Sequence, residues 1–435
     1  MSTVINAALI GAGTVGGGLY RLQETMSEEI EKRVGAKLNI KKVLVRDASK
    51  KREGIDPSVM TTDWNEIIND HEIQIVIELM GGTTLARERI LEALEAGKNV
   101  VTANKDLIAE HGEEIFEKAQ EKGLDVQFEA AVAGAIPIIR PIMQNMDGDN
   151  ITEVMGIVNG TTNYILTKMS EEGLSYEKAL ADATELGYAE ADPTADVEGI
   201  DAARKVAIIS QLIFHTNVTL DDVYKEGISK ITSDDISYAK DFGYVIKLVG
   251  TSKMTDGKIE ARVHPLLIDE KHPLASVRDS FNAVYVLGDA LDAAMFMGRG
   301  AGDLPTASAV LGDVLDVMRN IMNNCTNRVP VDYYNNYEIM PIDNVESKFF
   351  LKTVVDDKPG VLALIAGDMA ENGVSVKKVV QKNARDGVAD LVFITDTVEE
   401  NKFMASVKAI KELDSVSTEN GDTLGRRRRN GCTDR

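Results

Sequence analysis

From residue 4 to about residue 130, short apolar runs alternate with segments of helical period. Each apolar run is long enough only for a strand. A chain that alternates this way builds a parallel sheet, because each helix carries the chain back before the next strand can lie beside the last. Residues 4–10 (VINAALI) open the series and residues 38–45 (LNIKKVLV) continue it. Residues 73–79 (IQIVIEL) are almost continuously apolar, as in a strand covered on both faces. Residues 99–105 and 124–130 supply two more strands. The expected class is α/β, with a doubly wound parallel sheet.

The turn after the first run reads Gly11-Ala-Gly13-Thr14-Val15-Gly16, and Leu19, Leu22 and Met26 follow at helical spacing. Gly11 permits the turn, Gly13 lets backbone approach a pyrophosphate, and Gly16 lets the helix close on the strand. The helix N-terminus then presents amides to phosphate. A glycine-rich turn alone is often only a turn, but after an apolar strand in an α/β alternation it reads as a dinucleotide site. The first sheet is therefore expected to be Rossmann-type. An amphipathic helix over 305–324 is expected to pack back on it, giving a domain of 1–133 plus 303–330. The second strand ends Val45-Arg46-Asp47, with Lys50, Lys51 and Arg52 behind. An acid there reads a ribose 2′-hydroxyl and a guanidinium suits a 2′-phosphate. Arg46 favours NADP, Asp47 keeps NAD as second choice, and a solvated basic loop is the bland alternative.

After Gly134 the alternation stops. Residues 134–302 read as a mixed α+β domain for substrate binding and dimerisation, with helical period over 194–214 and antiparallel strands near 243–253, 258–268 and 280–287. Turn formers and polar groups crowd between Asn159 and Lys205, which is costly for a fold and marks a site. Asp201 and Lys205 lie one helical turn apart, and on spacing alone they are an ordinary exposed ion pair. Asp196 faces away from them if the helix runs through Gly199, and can turn inward if Gly199 breaks it. Glu185, Glu190 and Asp192 add carboxylates that either solvate a surface or hold an amino group. Lys105 follows strand 99–102, at the carboxyl end where ligands bind in open α/β sheets; an exposed structural lysine competes evenly with a functional one. Gly298-Arg-Gly300-Ala-Gly302 is a second glycine-rich loop, with Thr306 a candidate cap for the helix after it.

Residues 331–348 read as a linker, and 349–412 as a β-α-β-β-α unit, a ferredoxin-like core without its last strand. Residues 413–435, with the run Arg426–Arg429, are expected to be a disordered tail. A net charge of −22 argues against nucleic acid or an anionic membrane as partner. Two cysteines, Cys325 and Cys432, exclude a disulfide framework, and the five histidines lack metal-ligand spacing. With no apolar run long enough to span a membrane and no signal pattern at the N-terminus, a cytoplasmic protein is expected.

Taken in order, these segments resemble the homoserine dehydrogenase family. The resemblance rests on Gly11–Gly16, Ala103-Asn-Lys105, Glu129-Ala-Ala-Val-Ala-Gly-Ala-Ile-Pro-Ile, Asn159-Gly-Thr-Thr-Asn-Tyr, Gly187-Tyr-Ala-Glu-Ala-Asp-Pro-Thr through Asp201-Ala-Ala-Arg-Lys205, and Gly300-Ala-Gly302. It spans residues 4 to about 410, and its Gly187–Lys205 segment is far more specific than the dinucleotide turn. It implies reversible NAD(P)H-dependent reduction of L-aspartate 4-semialdehyde to L-homoserine, in the biosynthesis of threonine, methionine and isoleucine. It implies Lys205 as proton donor, Lys105 between cofactor and substrate, and Glu190, Glu185 and Asp196 around the substrate. It implies cofactor contacts at Gly11, Gly13, Thr14, Val15, Gly16, Arg46, Lys105, Gly187 and Gly302. It also implies a structural sodium ion at Glu129, Val132, Gly134 and Ile136, held mainly by backbone oxygens, and a homodimer or homotetramer. The C-terminal unit resembles an ACT domain, whose Asp357-x-x-Gly360-Val signature implies an amino-acid effector, threonine by preference. Two other readings compete: another NAD(P)-dependent oxidoreductase of a small hydroxy compound, and a non-catalytic amino-acid sensor. In the alcohol-oxidising direction the lysine must be neutral to accept a proton, so oxidation is expected to speed up at alkaline pH. A rate that stays flat from about pH 7 to about pH 10 would overturn that expectation.

Overall fold

The computed structural model describes residues 3–385, 387–417 and 423–427. By contact the chain divides into two interleaved units. One comprises Met1–Val158, Arg204–Val223 and Phe281–Tyr337; the other comprises Asn159–Ala203, Tyr224–Ser280 and Glu338–Arg435. This division runs through the span 134–302 instead of following its ends.

In the first unit, β1 (Thr3–Ile10), β2 (Ala36–Leu44), β3 (Met60–Thr61), β4 (Ile73–Glu78), β5 (Asn99–Thr102) and β6 (Val126–Gln127) form a parallel sheet ordered β3-β2-β1-β4-β5-β6. The winding reverses between β1 and β4, which opens a crevice at the carboxyl ends of those two strands. Both faces are covered. Ile5, Ala7 and Leu9 of β1 point into one core, while Ala8 and Ile10 point into the other. The helix Asp303–Met322 packs on the first of these faces through Val310, Val314 and Met318, as its amphipathic pattern predicts. It begins two residues before the predicted start, after Gly302, so Thr306 lies inside the first turn and is not its cap. The last strand is shorter than 124–130: Phe128 leaves the extended conformation and a tight turn follows at Glu129–Ala131. The same unit holds an antiparallel set in which Ile151–Ile157 pairs with Phe281–Gly288, and that strand with Asp292–Arg299.

In the second unit, Gly160–Glu172 and Tyr176–Glu185 are helices and Tyr244–Thr255 forms a hairpin with Lys258–Asp269. His264 is buried within that hairpin. The predicted helix over 194–214 is interrupted. A short helix, Thr194–Val197, ends before Gly199, which takes φ 78°, and Ile200–Phe214 starts anew.

The C-terminal strands Glu346–Asp356, Val388–Thr395 and Val376–Arg385 lie antiparallel in that spatial order, with helices Val361–Glu371 and Glu400–Lys411 against them. Their core joins Phe349, Leu351, Ile365, Phe393, Phe403 and Val416. Val416 also bridges to Val355, so the packed chain runs through Ser417 and supplies the edge that the sequence reading lacks. Within the tail read as disordered, Thr423–Arg427 forms a short strand, while residues 418–422 and 428–435 lie outside the described residues. Among the described residues no helix is long and apolar enough to cross a membrane.

Phe393 is 1% exposed at the centre of the C-terminal core. Phe393→Ala is expected to cost that core about 3–5 kcal/mol, read as a lowered urea midpoint for the C-terminal unfolding transition.

Candidate active site

The residues singled out from sequence fall in both units, and each unit has its own local logic. In the first, the Gly11–Gly16 turn joins β1 to the helix Thr14–Thr25. A Cβ on Gly11 would stand 2.5 Å from the Leu79 carbonyl oxygen, and one on Gly16 would stand 2.2 Å from that of Gly11. Neither position tolerates a side chain. A Cβ on Gly13, by contrast, would meet nothing within 4 Å. The helix starts after Gly13 with no side-chain cap, so its first amides are directed over open space. These features fit a dinucleotide pyrophosphate. Val15 is half-buried against the apolar core beneath the turn.

Past the end of β2, Arg46 is exposed and makes no ion pair among the described residues. Asp47 turns back into its own loop, accepting from the Ser49 amide at 2.9 Å and the Ser49 hydroxyl at 2.6 Å. Those hydrogen bonds, the hydroxyl's first, hold its carboxyl below the usual range.

Lys105 opens the helix Lys105–Lys122 and is half-buried. The turn before it is organised by a residue the sequence reading passed over. Glu78, wholly buried at the end of β4, accepts from the Thr102 hydroxyl at 2.7 Å and from the amides of Met80 and Gly81. Asn104 caps the lysine's helix through the Leu107 amide and donates to the Gly82 carbonyl at 2.8 Å. An acid at the end of an almost continuously apolar strand was the available signal, since burying it requires such partners.

Lys205 is only 9% exposed, and its Nζ donates to the Val158 carbonyl oxygen at 2.7 Å. It lies on the helix Ile200–Phe214, one turn beyond Asp201. The exposed ion pair that spacing alone allows is excluded, because both residues are buried.

In the second unit, Asn159 gathers the site. Its Oδ1 accepts from the Thr162 amide and caps the helix Gly160–Glu172, while its Nδ2 donates to Asp196 at 2.7 Å and to Asp201 at 2.9 Å. The break at Gly199 turns Asp196 inward, resolving the alternative left open by the sequence. Glu185, ending the helix Tyr176–Glu185, is exposed, as are Gly187 and Glu190 in the turn beyond it. Asp196 and Asp201 thus share one amide, whereas Glu185 and Glu190 stay at the surface. Lys247, which the strand pattern concealed, is 2% exposed and donates to Asn163 Oδ1 at 2.9 Å and the Val277 carbonyl at 2.6 Å. It holds the first turn of the helix that Asn159 caps.

Around the proposed ion positions, the Glu129 carboxylate accepts from the amides of Ile138, Ile139 and Arg140. Ala133 and Gly134 both take positive φ, 56° and 58°, in the turn that carries the Val132, Gly134 and Ile136 carbonyls. No group of three His, Cys, Asp or Glu able to hold a metal occurs among the described residues. A donor set of carbonyl oxygens suits a hard cation of low charge and not a transition metal. Gly302 directly precedes the helix Asp303–Met322, whose Asp303 pairs with Arg21 at 2.6 Å.

Residues 11–129 match the profile described as homoserine dehydrogenase, NAD binding domain, residues 137–315 the homoserine dehydrogenase profile, and residues 349–415 the ACT domain profile. A homoserine dehydrogenase of Corynebacterium glutamicum is 45% identical over 415 residues, covering 94% of this chain and 93% of its own. The Bacillus subtilis enzyme of that name is 42% identical over 415 residues, covering 95% of this chain and 96% of its own. The chain belongs to the homoserine dehydrogenase family. The crystal structure of a homoserine dehydrogenase from Thiobacillus denitrificans superposes with a TM-score of 0.92 at 39% identity, covering 98% of this chain and 99% of that one. This homoserine dehydrogenase is an NAD(P)-dependent oxidoreductase that interconverts L-homoserine and L-aspartate 4-semialdehyde. Neither competing reading survives, and its C-terminal unit is an ACT domain.

Burial lowers the Lys247 amine of this homoserine dehydrogenase from 10.5 to about 8. The folded lysine therefore releases its proton near 8 while the unfolded one keeps it to 10.5. Between those values the unfolded chain binds more protons, so stability rises with pH across the window. Relative to Lys247→Met, the wild-type chain should gain up to about 3 kcal/mol between those limits, measured by urea unfolding at a series of pH values.

Proposed function

We propose that Lys205 is the proton donor of this homoserine dehydrogenase, and that Lys105 supplies a second positive charge between cofactor and substrate. The observation that carries this reading is the burial of Lys205 with its amine aimed at the Val158 carbonyl. A long flexible cation is thereby held in one direction, at the cost of most of its hydration. The reduced nicotinamide, when bound, would supply the hydride that the aldehyde carbon accepts. Negative charge then develops on the aldehyde oxygen, and the Lys205 ammonium stabilises it and releases a proton to form the hydroxyl. A guanidinium in its place would supply charge without a transferable proton. Asp196, already oriented by the Asn159 amide, and Glu185 at the end of its helix hold the substrate ammonium, while Glu190 in the turn beyond binds the substrate's other polar groups. Proximity and orientation are what such fixed groups provide.

Gly11, Gly13, Thr14, Val15 and Gly16 hold the pyrophosphate, with Gly187 and Gly302 contributing backbone to the cofactor. NADP is preferred over NAD, because Arg46 is exposed for a 2′-phosphate while Asp47 is committed to Ser49. A sodium ion on the carbonyls of the Glu129–Ile136 turn has a structural role. The enzyme works in the cytoplasm as a homodimer or homotetramer, and an amino acid, threonine by preference, acts through the Asp357–Val361 loop. That loop borders a cavity of about 310 Å³, with Gln381 donating to Asp357 at 2.9 Å.

Lys205→Ala should abolish turnover in a homoserine and NADP assay while NADPH binding, followed by nicotinamide fluorescence, stays intact. Loss of both together would make the lysine structural. Arg46→Ala should raise KM for NADP about tenfold or more and leave KM for NAD nearly unchanged, which steady-state kinetics with each cofactor will decide.

A further inference from the structure

Glu78 is the last residue of β4 and stands in register with two other strand ends, Ile10 of β1 and Thr102 of β5. A wholly buried carboxylate has lost its hydration, and a fold keeps one only where fixed donors replace that water. Here one oxygen accepts from the Thr102 hydroxyl at 2.7 Å, and the other from the amides of Met80 at 2.8 Å and Gly81 at 3.1 Å. The Thr102 hydroxyl oxygen in turn accepts from the Asn104 amide at 3.0 Å. The Asn104 side chain then returns to the Gly82 carbonyl, which closes a circuit of hydrogen bonds between the turns after β4 and β5. Gly81 and Gly82 take φ 71° and 78° in succession, a stretch of backbone that would be pliant without these bonds.

The circuit also meets the dinucleotide turn. Leu79 donates to the Ile10 carbonyl at 2.8 Å, and a Cβ on Gly11 would lie 2.7 Å from the Cα of Met80. At its other end, Asn104 caps the helix that Lys105 opens. We propose that Glu78 is a positioning residue for hydride transfer, one that sets the distance between the pyrophosphate turn and the Lys105 amine. This rests on the role given to Lys105 above. Its oxygens already accept three protein bonds, so its effect passes through residues 80–82 on one side and through Thr102 and Asn104 on the other. Transfer requires the cofactor, the aldehyde carbon and the stabilising charge in one alignment, and a displacement of about 1 Å can lower the rate about a hundredfold. Glutamine is no substitute. It has a single acceptor oxygen, so either the Thr102 hydroxyl or the two amides would lose their partner.

Steady-state homoserine oxidation, NADPH binding by nicotinamide fluorescence and urea midpoints should be measured for Glu78→Gln, Thr102→Val and Thr102→Ser. Thr102→Val keeps the shape of the side chain and removes the hydroxyl. It and Glu78→Gln should each lower kcat about tenfold to a hundredfold, with KM for NADP and NADPH affinity close to wild type. Thr102→Ser retains the hydroxyl and should recover most of that loss. In a Lys105→Ala background, Thr102→Val should lower the residual kcat no further, because residues acting through one group are not additive. The proposal is overturned if Thr102→Val keeps the wild-type kcat, if serine is as slow as valine, if the lost rate merely follows lost folded enzyme, or if the two losses add. Should Glu78→Gln fail to fold, the threonine pair decides alone. A Lys105→Ala enzyme as fast as wild type would be a different failure: it would refute the role given to Lys105, and the positioning role with it.

Discussion

One side chain, that of Asn159, carries three obligations at once. Its oxygen caps a thirteen-residue helix, and its two amide protons go to Asp196 and Asp201. Two carboxylates brought together out of water repel one another and lose hydration. A neutral amide placed between them satisfies an acceptor on each without cancelling their charge. The Gly199 break, the turn of Asp196 and the start of the helix bearing Lys205 are all arranged around this fork.

Three other buried charged residues, Lys247, Asp313 and Glu129, follow the same accounting. Lys247, beneath the helix that Asn159 caps, donates to two carbonyl-type acceptors, and burial draws its amine down to about 8. Asp313, on the helix that covers the first sheet, is wholly buried against Arg140 and also accepts the Glu129 amide. Burial pushes its carboxyl up to about 8, with Arg140 opposing that shift. Glu129 in turn takes three successive amides. Removing any one member of such a chain leaves its neighbour with an unmet polar group, which costs more than the bond itself contributed. Polar positioning of this kind fixes geometry tightly, which is what hydride and proton transfer require.

The ACT unit is joined to its own unit's remaining chain by similar contacts. Tyr238 donates to Asp390, Lys382 pairs with Asp241, and Lys352 lies 3.6 Å from Asp235. The helix Ser233–Asp241 is thus tied to three ACT strands. The Lys382–Asp241 pair lies at the surface and contributes little by itself, whereas Lys352 and Asp235 are buried. Together they set the orientation of that helix against the strands.

Local sequence determined the parallel sheet, the dinucleotide turn, the covering helix over 305–324 and the presence of a separate C-terminal unit. These depend on hydrophobic periodicity and on the spacing of glycines, and both are legible in a short stretch of sequence. The family motifs likewise marked Lys105 and Lys205. What tertiary structure decided was the set of partners. Nothing in spacing could tell that Lys205 is buried against Val158, that Asp196 turns inward while Glu185 and Glu190 stay exposed, or that Asp47 is committed to Ser49. Nor could it reveal Glu78, Lys247 or the strand edge at Val416, because each acts through residues distant in the chain. Burial and hydrogen-bond partnership depend on which segments pack together, and that is settled only when the whole chain has folded.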